Sequence, residues 1–222
     1  MLTVKSRLLP LCAARCGKKL RRFSGVTIHE TGNRAAGAGA ENHMLYMVKN
    51  GGGAKEVSYH YVVDEKEAWH LIPEDEVAWH AGDGADGKGN NETVAVEICV
   101  NRDGDFAKAV ENAARLTAAI LYERGYRSVT GMIYEHHDFS RWGKNCPADL
   151  RAGKAGGMAG FRQTAQVFLD GFWAAKEPEK APTQEKKTLY RVQAGAFSKR
   201  ENALALQKKL QQAGFDCYVT GT

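Results

Sequence analysis

The sequence predicts an α/β fold, in which strands alternate with helices that cover the sheet they form. Three observations carry this: short β-branched runs ended by turn formers, long stretches with apolar residues at helical spacing, and the interleaving of the two along the chain. Val26-Thr27-Ile28-His29 is the first strand, and the polar turn Glu30-Thr31-Gly32-Asn33 follows it. A short helix spans Glu41 to Lys49. Ser58-Tyr59-His60-Tyr61-Val62-Val63 is aromatic and β-branched and forms a second strand. The clearest strand is Val94-Ala95-Val96-Glu97-Ile98-Cys99-Val100. A period of two places Val94, Val96, Ile98 and Val100 on one face, and Ala95, Glu97 and Cys99 on the other. A carboxylate among small apolar neighbours is not a typical solvent face. Asp105 caps a helix reaching about Arg124, with Val110, Ala113, Leu116, Ile120 and Leu121 at helical spacing and Gly125 as its stop. Another helix covers Phe161 to Ala175.

Domain boundaries follow from a shift in composition. Residues Lys176 to Lys187 combine charges and two prolines with no apolar side chain larger than Ala, so this segment cannot bury a core and is a linker. Residues 1–175 suffice for one α/β domain. In residues 188–222, Leu189 to Phe197 is strand-like, and Ser198 begins a helix with Ala203, Leu206 and Leu210 on one face. Gly214 ends that helix, and Phe215 to Thr220 is again strand-like, giving a small βαβ segment. Such a piece is too short for a conventional core.

Composition excludes several classes. The 222 residues carry a net charge of +5, 26% charged and 43% hydrophobic residues. No apolar run approaches the roughly 20 residues that a bilayer crossing needs. The positive balance suits an anionic surface without naming one. Five scattered cysteines, Cys12, Cys16, Cys99, Cys146 and Cys217, do not make a disulfide framework. Leu8 to Ala14 is short and broken by Pro10, so no signal peptide is expected and synthesis in the cytoplasm is. The basic N-terminal stretch lacks the interleaved aromatics of a nucleic-acid surface, so no nucleic-acid partner is expected.

The chemistry concentrates in His136-His137-Asp138-Phe139-Ser140-Arg141-Trp142-Gly143-Lys144-Asn145-Cys146-Pro147. Imidazole and thiolate on one Gly-containing loop, joined by the distant His29 at a strand end, supply the three protein ligands of an open zinc site. Together with Thr27 to Asn33, Ala78-Trp79-His80-Ala81-Gly82-Asp83-Gly84 and Val96-Glu97-Ile98-Cys99, taken in order, this loop resembles the zinc-dependent N-acetylmuramoyl-L-alanine amidases of the phage endolysin and peptidoglycan-recognition-protein type. The resemblance covers about Leu2 to Trp173. It implies a mixed central sheet flanked by helices, zinc ligands His29, His136 and Cys146, and catalytic roles for Glu97 and Lys144. The loop departs from the family pattern, because Arg141-Trp142 lengthens the His-to-Cys spacing by two. Counting from the residues before Ser140 selects His136 as the ligand, whereas counting back from Cys146 favours His137 or a later residue. His136 is preferred, since a loop bulge absorbs two residues.

The chemistry of amide hydrolysis fits these residue types. A zinc-bound water has a pKa near 7, a carboxylate such as Glu97 moves its proton, and Lys144 faces the oxygen that becomes negative. Asp138 or a backbone carbonyl would hold the second nitrogen of a ligand histidine. His80, Tyr59 and His60 are candidates for a substrate groove, beside a Gly-rich stretch that permits close approach. The C-terminal segment resembles one half of a sporulation-related (SPOR) peptidoglycan-binding domain, which implies affinity for glycan strands. The expected activity is therefore peptidoglycan hydrolysis at the bond between N-acetylmuramic acid and L-alanine, as in a phage or prophage lysin that reaches the cell wall on release. A non-catalytic recognition protein on the same fold is the alternative. Glu97, Lys144 and the cysteine ligand speak against it.

Overall fold

The strand with the clearest sequence signal lies inside the sheet. In the computed structural model, which describes residues 2–51, 57–176 and 192–220, six strands run in the order β1-β4-β3-β5-β2-β6. They are β1 (Thr3–Ser6), β2 (Gly25–Glu30), β3 (Tyr61–Val63), β4 (Glu67–His70), β5 (Thr93–Ile98) and β6 (Ile133–Glu135). Only the β3–β4 pairing is antiparallel, so the sheet is mixed.

Period two in β5 sorts its side chains into two cores. Val94, Val96 and Ile98 pack with Ala113 and Ile120 of α3 (Phe106–Glu123) and with Phe161 and Leu169 of α6 (Gly157–Lys176). Ala95 and Cys99 join Met44 and Met47 of α1 (Ala40–Asn50) on the opposite face. Both faces are covered, as a largely parallel sheet requires. Asp105 caps α3 by accepting the Lys108 N–H at 2.9 Å. Replacing it with alanine is expected to destabilise the domain by about 1 kcal/mol, read as a lower urea midpoint with unchanged slope.

Some elements differ from expectation. The strand expected over Ser58 to Val63 contains only Tyr61–Val63. Ser58 turns instead to a loop, donating its N–H to the Trp79 carbonyl at 3.0 Å and accepting the Trp79 N–H on Oγ at 2.8 Å. The edge strands β1 and β6, with β4 inside the β1 edge, had no sequence signal, being three or four residues long and partly charged. The short helices α2 (Lys88–Glu92), α4 (His136–Phe139) and α5 (Ala148–Arg151) were also unforeseen.

The topology places the functional residues. Strands β2, β5 and β6 are parallel, so their C-terminal ends share one edge of the sheet. There His29 lies in register with Glu97, and β6 passes directly into α4 at His136. Crevices at the C-terminal ends of parallel strands are where α/β proteins build sites.

Residues divide into two units, Met1–Pro178 and Glu179–Thr222. Within the second, α7 (Arg200–Gln212) forms where expected, with Ala203, Leu206 and Leu210 half-buried. The flanking strands do not form among the described residues: 192–197 and 215–220 have no strand pairing, while Leu189 to Arg191, and the linker except Lys176, lie outside the described residues. Two short strands and one helix bury too little to hold a sheet alone. The segments still pack on the helix, with Gly195 against Leu206 and the Cys217 carbonyl accepting from Gln207 Nε2 at 3.0 Å.

Candidate active site

His29, His136 and Cys146 converge from β2, α4 and the loop before α5, with their ligand atoms all within 4.8 Å of one another. His29 Nδ1 is 2.9 Å from His136 Nδ1 and 4.0 Å from Cys146 Sγ. All three residues are buried. His137, next in sequence, is turned away: its Nδ1 lies 3.1 Å from the Lys144 carbonyl oxygen, and its N–H donates to the Cys146 carbonyl at 3.0 Å. The two extra loop residues, Arg141 and Trp142, form the tip of a turn closed by the Gly143 N–H donating to the Ser140 carbonyl at 3.2 Å. Gly143 makes this possible by adopting a φ of 62°. The bulge therefore sits outside the cluster.

Glu97 approaches the cluster from β5. One carboxylate oxygen is 3.9 Å from His29 Nδ1, and the other is buried without a hydrogen-bond partner. Burial raises its pKa to about 7, opposed by the charge of Lys144. Lys144 is exposed on the loop, yet its ammonium acts on the site. Burial holds His29 well below the ordinary imidazole range and His136 at about 4, and Lys144 adds to both shifts. Burial also pushes the Cys146 thiol up to about 12.

This donor set fits a zinc ion. Two neutral imidazoles and one sulfur are the ligands zinc prefers, and the Glu97 carboxylate approaches within 3.9 Å of His29 Nδ1. No other group of three His, Cys, Asp or Glu side chains converges in this way among the described residues.

The Trp79-His80-Ala81 segment does something other than expected. His80 is only 5% exposed and places Nδ1 3.0 Å from His29 Nε2. The adjacent Ala81 carbonyl accepts a hydrogen bond from the His136 ring. Asn90 Oδ1 holds this segment, accepting the N–H groups of His80 and Ala81 at 2.9 and 2.8 Å. Both ligand histidines are thus oriented by one strap. Asp138, the other candidate for that task, accepts the Glu135 N–H at 2.8 Å as a helix cap.

His60 and Tyr59 also differ from expectation. His60 is fully buried; Nδ1 accepts the Ala95 N–H and Nε2 donates to the Glu76 carbonyl, both at 2.9 Å. Both ring nitrogens are thus engaged in the core. Tyr59 is 6% exposed, its hydroxyl donates to the His43 carbonyl at 3.4 Å, and burial holds its pKa well above the ordinary value. Sequence reasoning missed Asn90 and the Ala81 carbonyl. An asparagine after a Gly-rich run was the one available signal for the first, and a backbone carbonyl leaves none.

Comparison with known proteins shows the family and the fold. A family profile described as N-acetylmuramoyl-L-alanine amidase matches residues 19–149, and a SPOR-domain profile matches residues 165–221. The chain is 32% identical over 216 residues to N-acetylmuramoyl-L-alanine amidase CwlH of Bacillus subtilis, covering 95% of this chain and 78% of the relative. Among solved structures, the catalytic domain of XlyA superposes with a TM-score of 0.65 at 32% identity, covering 74% of this chain and 99% of that one. PlyL superposes with a TM-score of 0.63 at 30% identity over 75% of this chain and 99% of that one. Sheet, site and similarity lead to one assignment: the chain belongs to the N-acetylmuramoyl-L-alanine amidase family, a family of peptidoglycan hydrolases.

Proposed function

We propose that this chain is a zinc-dependent amidase that cleaves the bond between the lactyl group of N-acetylmuramic acid and the L-alanine of the stem peptide. The convergence of His29, His136 and Cys146 beside an unpaired Glu97 oxygen carries the reading. Zinc held by these three residues would supply a Lewis acid and a water with a pKa near 7. Glu97 takes the proton of the attacking water and returns it to the leaving amine, a role suited to a carboxylate whose pKa lies at about 7. Lys144, exposed on the loop, would bring its ammonium to the carbonyl oxygen as that atom becomes negative. His80 and the Ala81 carbonyl fix the two imidazole rings rather than touching substrate.

The SPOR similarity of residues 165–221 supports wall association. Tethering to glycan strands would raise the local concentration of the catalytic domain. This suits a phage or prophage lysin acting on the cell wall. No helix among the described residues is long and apolar enough to cross a membrane.

Digestion of purified peptidoglycan tests the activity. New L-alanine amino termini are expected without new reducing sugar ends; new reducing ends alone would reject the bond assignment. Comparing His136→Ala with His137→Ala tests the ligand. Zinc content is expected to fall in the first and stay near one per chain in the second, and the opposite result would move the ligand to His137.

A further inference from the structure

Glu30 is the last residue of β2, directly after His29, and its side chain leaves the strand to reach the segment that carries Cys146. Its carboxylate accepts two backbone N–H groups there, Asp149 N–H on Oε2 and Leu150 N–H on Oε1, each at 2.9 Å. Its own backbone N–H donates to the Cys146 sulfur. One residue thus grips the cysteine segment at both ends, at the sulfur and at the backbone three and four positions beyond it. The carboxylate is largely desolvated, and the two N–H groups offset that cost. A second tie reinforces the first. Arg34 donates to both carboxylate oxygens of Asp149 at 2.9 Å, and Lys154 Nζ donates to Asp149 Oδ1 at 2.9 Å.

The Glu30 carboxylate is engaged by two backbone N–H groups of the cysteine segment, so a structural tie, not a catalytic role, explains it. Its geometric effect is specific. His29 and Glu30 are neighbours on a rigid strand, so fixing the 146–150 segment to Glu30 fixes the sulfur relative to His29, at the observed 4.0 Å from Nδ1. Removing the carboxylate leaves the Asp149 and Leu150 N–H groups to water and frees the segment to shift. Ligands held in place before a metal arrives bind it more tightly, because less order has to be imposed on binding.

We propose that Glu30 is a positioning residue that sets the Cys146 sulfur against His29, and so controls metal affinity and thiolate ligation without touching metal or substrate. This rests on the zinc reading of the site. The test uses the full chain with Glu30→Ala and the near-isosteric Glu30→Gln, whose one amide oxygen can keep one of the two N–H bonds. Zinc affinity is measured by competition with a chromophoric chelator, and cobalt(II) is substituted to read its thiolate charge-transfer band. Glu30→Ala is expected to weaken zinc binding by about 10- to 100-fold, as loss of an outer-shell partner does, with Glu30→Gln intermediate. The cobalt–thiolate band is expected to shift or weaken in the same order, a change that general destabilisation would not produce in folded protein. Wild-type affinity and an unchanged cobalt spectrum in both variants would overturn the role of Glu30 alone. A wild-type chain that binds no zinc would overturn the zinc reading and this role together.

Discussion

Glu97→Gln is expected to lower amidase turnover by about 10²- to 10⁴-fold and, in the same molecule, to stabilise the metal-free protein. The loss follows because glutamine cannot take a proton from water or return one to the amine. The gain follows from burial. The Glu97 side chain is only 13% exposed and one oxygen has no partner, so its ionised form is costly and its pKa rises from 4.5 to about 7. Folded protein therefore binds this proton more tightly than unfolded protein does. Below about pH 4.5 both states hold the proton and the residue costs nothing. As pH rises towards 7 the unfolded chain ionises first, and stability falls until the folded carboxyl ionises too. The full penalty, on the order of 3 kcal/mol, is present above pH 7. Urea unfolding of both metal-free proteins at pH 4 and pH 8 checks this. The variant should match the wild type at the acid end and exceed it at the alkaline end. Retained turnover would remove Glu97 from the mechanism, and an equal stability difference at both pH values would refute the buried-charge account. Stability given up at a site for the sake of chemistry is a common trade in enzymes.

The parts of this site that were legible in the sequence are those whose chemistry conflicts with local pattern. Glu97 interrupts an apolar strand face, and Cys146 follows Lys144 on a loop that a core thiol would not need. His136 was preferred to His137 because two extra residues can sit at a turn tip, which is where Arg141 and Trp142 are. The groove candidates were harder to read, for a shared reason. His60, Tyr59 and His80 have the residue types of a groove, but an aromatic or imidazole that lines a cleft and one that is satisfied in the core look alike in sequence. The hydrogen bonds that decide between them, from Ala95, to Glu76 and with His29, come from segments 16 to 51 positions away. The strands β1 and β6 escaped notice because backbone pairing to β4 and β2, more than side-chain alternation, defines them. In the C-terminal unit the alternation is present and the pairing is not, since a strand signal needs a neighbouring strand to be realised.

Stripping the protein with a strong chelator is expected to abolish hydrolysis, and one equivalent of zinc per chain is expected to restore it. The same titration should raise thermal stability. With free zinc at about a thousand times its dissociation constant, linkage contributes about 4 kcal/mol, which corresponds to roughly 8–16 °C in Tm for a domain of this size. The pH dependence of binding identifies the ligands. His29 and His136 are already neutral at pH 7, because burial holds them well below their ordinary range and at about 4 respectively, so neither releases a proton to the metal. Cys146, its thiol pushed up to about 12, must release one. Zinc affinity is therefore expected to fall at least about tenfold for each unit of pH lowered through the neutral range, with at least one proton released per ion bound and more where Glu97, at about 7, also ionises. Cys146→Ser should remove most of the affinity and the thiol's share of that slope, because a serine hydroxyl does not ionise to meet the ion as a thiol does. A proton release near zero, or a serine variant that binds zinc as the wild type does, would exclude Cys146 as a ligand and leave the two histidines to seek their third partner in Glu97, the nearest remaining carboxylate, 3.9 Å from His29 Nδ1.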